Sequence, residues 1–397
     1  GRARYAFIYH GNQSINNAND IREWVYSQRT DGTKMVDTGF RLGLDTIDRY
    51  GVKGNIHMSG SLLSAAQWAD PAFLTRIKDM VTAGKVGLIG GVLAEHIMPY
   101  YENNTTAGLY PNSRAIAARR DLIQNIFSPP QLPKVFWVPE RVIRGTTFKD
   151  ILTHPETGLP TGYTATVLDD NYHMKDWFGM SSSQRFKLHK VNNVLVFLVN
   201  GIDARLGLPA GGDQNPDGSK FWVQDEGLHI ETRKTLLDMA RSADQEQLVL
   251  VFDDWEAYAG RSFASPLANN NPAQWDSTVK WVANHQWIET VTLNEIADRG
   301  WTPIDHGNNE GLSIKTYDWL SRACEWSYDN WYFGSGQEES FSNRIPKIKG
   351  SHNLPNSKSY GHINTAGTLM RDTWDAIKAS PNNILKDYAE MVYNTLN

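Results

Sequence analysis

The sequence predicts an α/β protein, a seven-fold (β/α) barrel followed by a mainly helical C-terminal extension. Short β-branched and aromatic runs alternate with amphipathic helical patterns from residue 1 to about 301; this is the rhythm of strands joined by crossover helices into a parallel sheet. Acidic residues, histidines or both follow the successive runs, as expected where strand ends build a site. Beyond Trp301 the alternation gives way to an aromatic stretch, a turn-rich stretch and then a helix-periodic one. The expected division is therefore a barrel over 1–301, with a hairpin and loop insertion near 181–227, and a helical region over 302–397 packed on it.

Tyr5–Tyr9 reads as the first strand and Asn55–Met58 as the second. Asp70 as N-cap, Pro71 at the first helical position and Gly84 just past the end frame the next helix. Val86–Ile89 is the third strand, and a helix from Asn112 or Ser113 to about Phe127 stops at Ser128-Pro129-Pro130. Val135, Phe136 and Val138 make the fourth strand, which Pro139 ends by removing a backbone donor. A helix near Thr147–Thr153 leads to the fifth strand, Tyr163–Leu168. Phe186–Val191 and Val194–Val199 flank Asn192-Asn193, a two-residue hairpin signal, and read as an antiparallel excursion. Asp203–Gly227, rich in Gly, Pro and Asp and containing Trp222, reads as a long loop over the site. A helix at Leu228–Ser242 precedes the sixth strand, Leu248–Phe252. Asn271-Pro272 opens a helix with Trp275, Val279 and Val282 on one face, before a seventh strand at Ile288–Thr292. In the last region Met370, Trp374 and Ile377 form an apolar stripe, and Trp319, Trp326 or Trp331 is expected to reach the site.

Composition narrows the partners. A net charge of −5, with no run of basic residues, argues against nucleic acid and against a membrane-surface patch. No apolar run reaches the roughly eighteen residues of a membrane span. The single cysteine, Cys324, excludes an internal disulfide and a thiolate metal cluster, and fits a secreted, periplasmic or cytoplasmic setting equally. The chain opens at Gly1 without a signal-like leader. Neither cofactor nor metal is implied, and oligomeric state is open. The 14 Trp and 16 Tyr, many beside Asp, Asn, Glu or Gly, suit a surface that stacks sugar rings and hydrogen-bonds their hydroxyls.

The chemistry-bearing residues follow the strands in turn. His10, Asn12 and Gln13 follow the first, Glu95 and His96 the third, and Glu140 and Arg141 the fourth, with Trp137 offering a flat apolar face beside them. Asp169, Asp170 and His173 follow the fifth strand; Asp253, Asp254 and Glu256 follow the sixth, around Trp255. Bland readings compete. His10 suits a core histidine, His96 a loop hydrogen bond, Asp169 and Asp170 a turn, and Thr292-x-x-Glu295 is a capping box. Two adjacent carboxylates after a buried strand repel, which raises the pKa of at least one and suits it to donate a proton. Glu140 and Asp254 therefore make a pair of the kind glycoside cleavage requires.

Four segments, Gly84–Pro99, Trp137-Val-Pro-Glu-Arg141, Asp253-Asp-Trp-Glu-Ala-Tyr-Ala-Gly260 and Thr290-Val-Thr-Leu-Asn-Glu295, resemble in order the motifs of glycoside hydrolase family 57. The resemblance implies a seven-fold barrel with a helical C-terminal part, acting on α-glucan-like oligo- or polysaccharide with retention. It implies Glu140 as nucleophile and Asp254 as acid/base, with Trp137, Glu95, His96 and the Asp169–His173 stretch on substrate loops. Departures are that His10-Gly-Asn-Gln-Ser14 stands where the family usually has His-Gln-Pro, Gly87 where it often has glutamate, and Trp255 where it has glycine. Two other classes remain: a non-catalytic carbohydrate-binding barrel, and a polysaccharide deacetylase, whose metal needs two histidines and an aspartate although no closely spaced histidine pair occurs.

Overall fold

A computed structural model describes residues 1–12, 18–26, 38–103, 105–106, 108–199, 228, 230–259 and 272–315. Its strands are β1 (Ala3–Gly11), β2 (Gly54–Met58), β3 (Val86–Ile89), β4 (Val135–Trp137), β5 (Ala165–Asp169), β6 (His189–Val191), β7 (Val194–Val199), β8 (Val249–Asp254), β9 (Ile288–Thr290) and β10 (Ile304–Asp305). Two five-stranded ladders result. One runs β3-β2-β1-β8, with β9 also on β1; the other runs β10-β6-β7-β5-β4. Every pairing is parallel except β6 with β7. A parallel bridge between Gly90 and Phe136 joins the two ladders beyond β3. At the other side β7 packs beside β8, with no hydrogen-bonded ladder between them among the described residues. The fold is thus α/β with parallel sheets and flanking helices.

Local signals explain the elements. Asp70 caps the helix Pro71–Thr82 by accepting the Phe73 N–H at 3.3 Å, and Ser59 caps Gly60–Ala69 through Leu62 N–H. The helix Pro111–Phe127 ends at Ser128 in the left-handed region (φ 39°). Thr292 and Glu295 exchange both bonds of a capping box at Leu293–Asp298, and Glu295 also pairs with Lys53. Glu295 is a helix cap. Asn192 and Asn193 (φ 49° and 66°) turn the β6–β7 hairpin as expected. That hairpin is not an excursion, however: β7 is a full parallel neighbour of β5, from Ala165 opposite Leu195 to Asp169 opposite Val199. Its six residues are all apolar because both faces are covered.

Alternation along the strands sorts side chains to two sides. Ala6 and Ile8 of β1, Ile89 of β3, Val135 and Trp137 of β4, Ala165 and Val167 of β5, Phe197 and Val199 of β7, Leu250 of β8 and Leu248 just before it meet in one cluster shared by both ladders. The intervening residues pack under helices instead, Tyr5, Phe7, Tyr9, Val249 and Val251 on one side and Phe136, Val138, Val196 and Leu198 on the other. Beyond β9, residues 302–315 add β10 to β6 and bridge Lys315 to Ile143. The expected helical stripe at 365–396, Trp319, Trp326, Trp331, Trp222 and the 203–227 loop lie outside the described residues, as does Gln13.

Candidate active site

The shared inward face ends in polar groups, and these mark the site. β1 extends to Gly11, so His10 lies within the strand, on the side of Ala6 and Ile8 and level with Asp254 of β8. β8 likewise runs to Asp254. Alternation then separates the two adjacent aspartates: Asp254 shares the side of Phe252 and Leu250, and Asp253 takes the other. Asp253 Oδ1 accepts the Asp254 backbone N–H at 2.8 Å. Asp254 is exposed at the end of β8, while desolvation of its carboxyl by the surrounding protein pushes it up to about 6 against the pull of the Arg141 guanidinium.

Glu140 stands in a single 3-10 turn, Pro139–Arg141, directly after β4. Pro139 starts the turn, and Arg141 N–H and Val142 N–H close it on the carbonyls of Val138 and Pro139 at 2.8 and 3.1 Å. Glu140 and Arg141 both adopt the left-handed region (φ 50° and 47°), and so does Glu95 (φ 55°). Side-chain-bearing residues there cost on the order of 1 kcal/mol each. His173 holds the turn down: it is fully buried, its Nε2–H donates to the Arg141 carbonyl at 2.8 Å, and its Nδ1 accepts the Asp169 N–H at 3.1 Å. Burial drives His173 down to about 3, so it stays neutral and keeps this tautomer. Both ring nitrogens of His173, expected to face substrate, are engaged by backbone groups of the protein. Asp170 is also fully buried, at the start of the π-helical turn Asp170–Lys175.

Trp137 was expected as a sugar platform, but it is 1% exposed. His10 stacks on it at 4.5 Å and His57 at 5.3 Å, the Arg141 guanidinium lies 5.5 Å from its ring, and Phe252 packs at 4.9 Å. It is the internal support on which the ends of β1, β2, β4 and β8 converge. Trp255, also expected at the sugar, is fully buried and stacks on Phe40 at 4.6 Å and Tyr9 at 5.4 Å, outside the inward cluster. Bulk at the position where family members carry glycine is absorbed by this outer core. Gly87 shares the side of Ile89, in the cluster common to both ladders. A Cβ there would come within 2.7 Å of Thr292 Cβ and 3.0 Å of Asn55 Oδ1, so the space of a glutamate is filled by the cap of the last helix.

Glu95 reaches His57, with Oε1 at 3.3 Å from Nε2; His96 turns away and donates Nε2–H to Asn112 Oδ1 at 2.7 Å. Asn112 passes this on to Asp150 at 2.8 Å, whose carboxyl is raised to about 6 by burial. Glu256 is half-buried in the short helix after β8. His57 and the buried Arg119 were missed from sequence. Their signals were the polar alternation Asn55-x-His57 in an apolar strand, and a lone cation on the apolar stripe Ala115, Ile116, Arg119, Ile123. Among the described residues no group of three or more His, Cys, Asp and Glu side chains is arranged to hold a metal ion, and no helix is long and apolar enough to cross a membrane.

Carboxylates thus stand where β4 and β8 end, beside histidines stacked on a buried tryptophan. The chain is a member of glycosyl hydrolase family 57, whose sequence model matches residues 7–306. A search of curated protein sequences found no match. Among solved structures, the 4-alpha-glucanotransferase of Thermococcus litoralis is similar at 16% identity and a TM-score of 0.61, over 96% of this chain and 54% of that one. The alpha-amylase AmyC of Thermotoga maritima is similar at 10% identity and 0.55, over 100% and 97%. The branching enzyme of Pyrococcus horikoshii is similar at 13% and 0.52, over 100% and 95%. The chain spans about half the length of the glucanotransferase.

Proposed function

We propose that this chain is a retaining glycoside hydrolase or transglycosylase acting on α-linked, α-glucan-like oligo- or polysaccharide, with Glu140 as nucleophile and Asp254 as acid/base. The observation that carries it is Asp254: a carboxyl on the inward side of β8, raised to about 6, within the field of the guanidinium next to Glu140. A carboxyl with a raised pKa that can give up its proton, beside a second carboxylate that can attack, is the division of labour glycoside cleavage uses. In the first step a Glu140 oxygen bonds to the anomeric carbon, the bond from that carbon to the glycosidic oxygen breaks, and the leaving oxygen takes the Asp254 proton. In the second, ionised Asp254 takes a proton from water or an acceptor sugar hydroxyl, whose oxygen displaces Glu140. Two inversions give net retention.

The same reading closes the strands into a seven-fold barrel. Its support is the single inward cluster drawn from both ladders and the packing of β7 beside β8. It also keeps the division near residue 301, with a helical region beyond. Glu95, Asp253, Glu256 and the stretches holding Gln13 and Trp222 are proposed around the sugar. The substrate class is supported by the glucanotransferase, amylase and branching enzyme that share the fold. Proton NMR of the first anomer released from an α-glucan tests the reading. An initial α-anomer, with rates unchanged by chelator, is expected. An initial β-anomer would overturn retention and make Glu140 a base, and absence of release from any α-glucan would overturn the activity.

A further inference from the structure

Behind His10 lie residues that the two chemical steps leave unused. His57 of β2 is fully buried and stacks beside His10, ring centroids 4.9 Å apart and planes 11° off parallel. His10 Nδ1 and His57 Nδ1 are 2.8 Å apart, and His57 Nε2 lies 3.3 Å from Glu95 Oε1. A hydrogen bond between two imidazole nitrogens needs one protonated and one bare, so the two tautomers are locked to each other. Which way the chain of donors runs depends on Glu95.

Glu95 has a side chain only 6% exposed. Burial pushes its carboxyl up, while His10, Arg119 and His96 pull it back. The net direction is up, and the claim on the ionised form comes from the charge of Arg119. It is 1% exposed, and its Nε and Nη1 have no hydrogen-bond partner among the described residues. A guanidinium keeps its proton in a protein, and a buried one needs an anion nearby. Glu95 supplies that anion as a carboxylate. His57 Nε2 and Glu95 Oε1 are in ion-pair contact at 3.3 Å without the geometry of a hydrogen bond; a carboxylate oxygen facing Nε2 at that distance favours the hydrogen there, which leaves the Nδ1 of a neutral His57 bare to accept Nδ1–H of His10. Both rings are kept neutral by burial. Nε2 of His10 is then bare. His10 keeps 8% exposure, and its Nε2 is not among the sealed polar atoms.

We propose that His57 and Glu95 are positioning residues that hold His10 in its Nδ1–H tautomer, so that His10 Nε2 offers a lone pair at the strand ends to a hydroxyl donor. Resting on the reading above, that donor is a sugar hydroxyl of the substrate. A Trp137 stack alone fixes the ring plane but not the proton. The relay fixes the proton.

The test is proton–nitrogen NMR of the full chain labelled with heavy-nitrogen histidine, with the His10 signals identified by their loss in His10→Asn. Wild type is expected to show protonated Nδ1 and bare Nε2 at His10. His57→Phe keeps an aromatic ring against Trp137 without an acceptor; it is expected to flip His10 to Nε2–H and to lower kcat/KM on an α-glucan about tenfold, the loss of one hydrogen bond. Glu95→Leu is expected to release the same tautomer if His57→Phe does not fold, whereas Glu95→Gln, which still offers His57 an oxygen, retains it. A wild-type His10 protonated at Nε2, or a tautomer indifferent to both variants, overturns the relay. Because the spectrum is read without substrate, the expected tautomer in a chain that cleaves nothing would sink the proposed activity and leave the relay standing.

Discussion

Asp254 sets the pH at which this chain is expected to work. With its carboxyl raised from the ordinary 3.8 to about 6, about one molecule in eleven carries the proton at pH 7, against about one in 1,600 for an unperturbed aspartate, a gain of about 140-fold in competent acid. Above about pH 6, kcat/KM is therefore expected to fall about tenfold per unit, with this limb assigned to the free enzyme. Asp254→Asn removes the limb and lowers turnover of α-glucan by about 10²–10⁴, while glycosyl donors with a leaving group that needs no proton keep far more of their rate. The assay is initial-rate kinetics from pH 4 to 9 on both donor types for both proteins. A limb centred near 4, or an Asp254→Asn chain that keeps both the limb and the wild-type rate on glucan, would refute the reasoning. The sign for stability follows from the same shift. The folded chain binds more protons than the unfolded one between 3.8 and about 6, so this group favours folding at acid pH and that contribution is lost as pH rises through the window.

Glu140→Gly is expected to abolish turnover yet raise stability by about 0.5–1 kcal/mol, because glycine adopts φ 50° without the penalty that glutamate carries; a denaturant midpoint at or below wild type would contradict the strain assigned to this turn. Trp137→Ala is expected to cost about 3–5 kcal/mol, since it empties a side chain that is 1% exposed among His10, His57, Phe252 and Arg141. Thermal unfolding within a degree of wild type would return Trp137 to the surface.

Signals that act over a few residues were legible in the sequence. Asp70-Pro71, Asn192-Asn193 and the Thr292–Glu295 box each specify backbone geometry through their own side chains, and each forms as expected. Glu140 was legible for the same reason, because Pro139 ends β4 where it does. What escaped depends on pairing between distant residues. Nothing local to Val194–Val199 says that its partner is β5 as well as β6, and a tryptophan has the same chemistry as platform or as core, so only the neighbours of Trp137 and Trp255 reveal which they are. His57 escaped because a buried histidine carries no meaning until its partners are known.

The brace on the Glu140 turn comes from another loop, and that has a bearing on how such enzymes diversify. His173 is delivered by the turn that follows β5, yet its ring closes on the carbonyl of Arg141 after β4. A strained turn of two left-handed residues fastened from outside cannot be exchanged by itself. Transplanted without the Asp169–His173 segment, it would relax toward ordinary backbone angles and carry Glu140 away from its position. The two loops are thus a single unit of inheritance, free to drift in length and sequence only together.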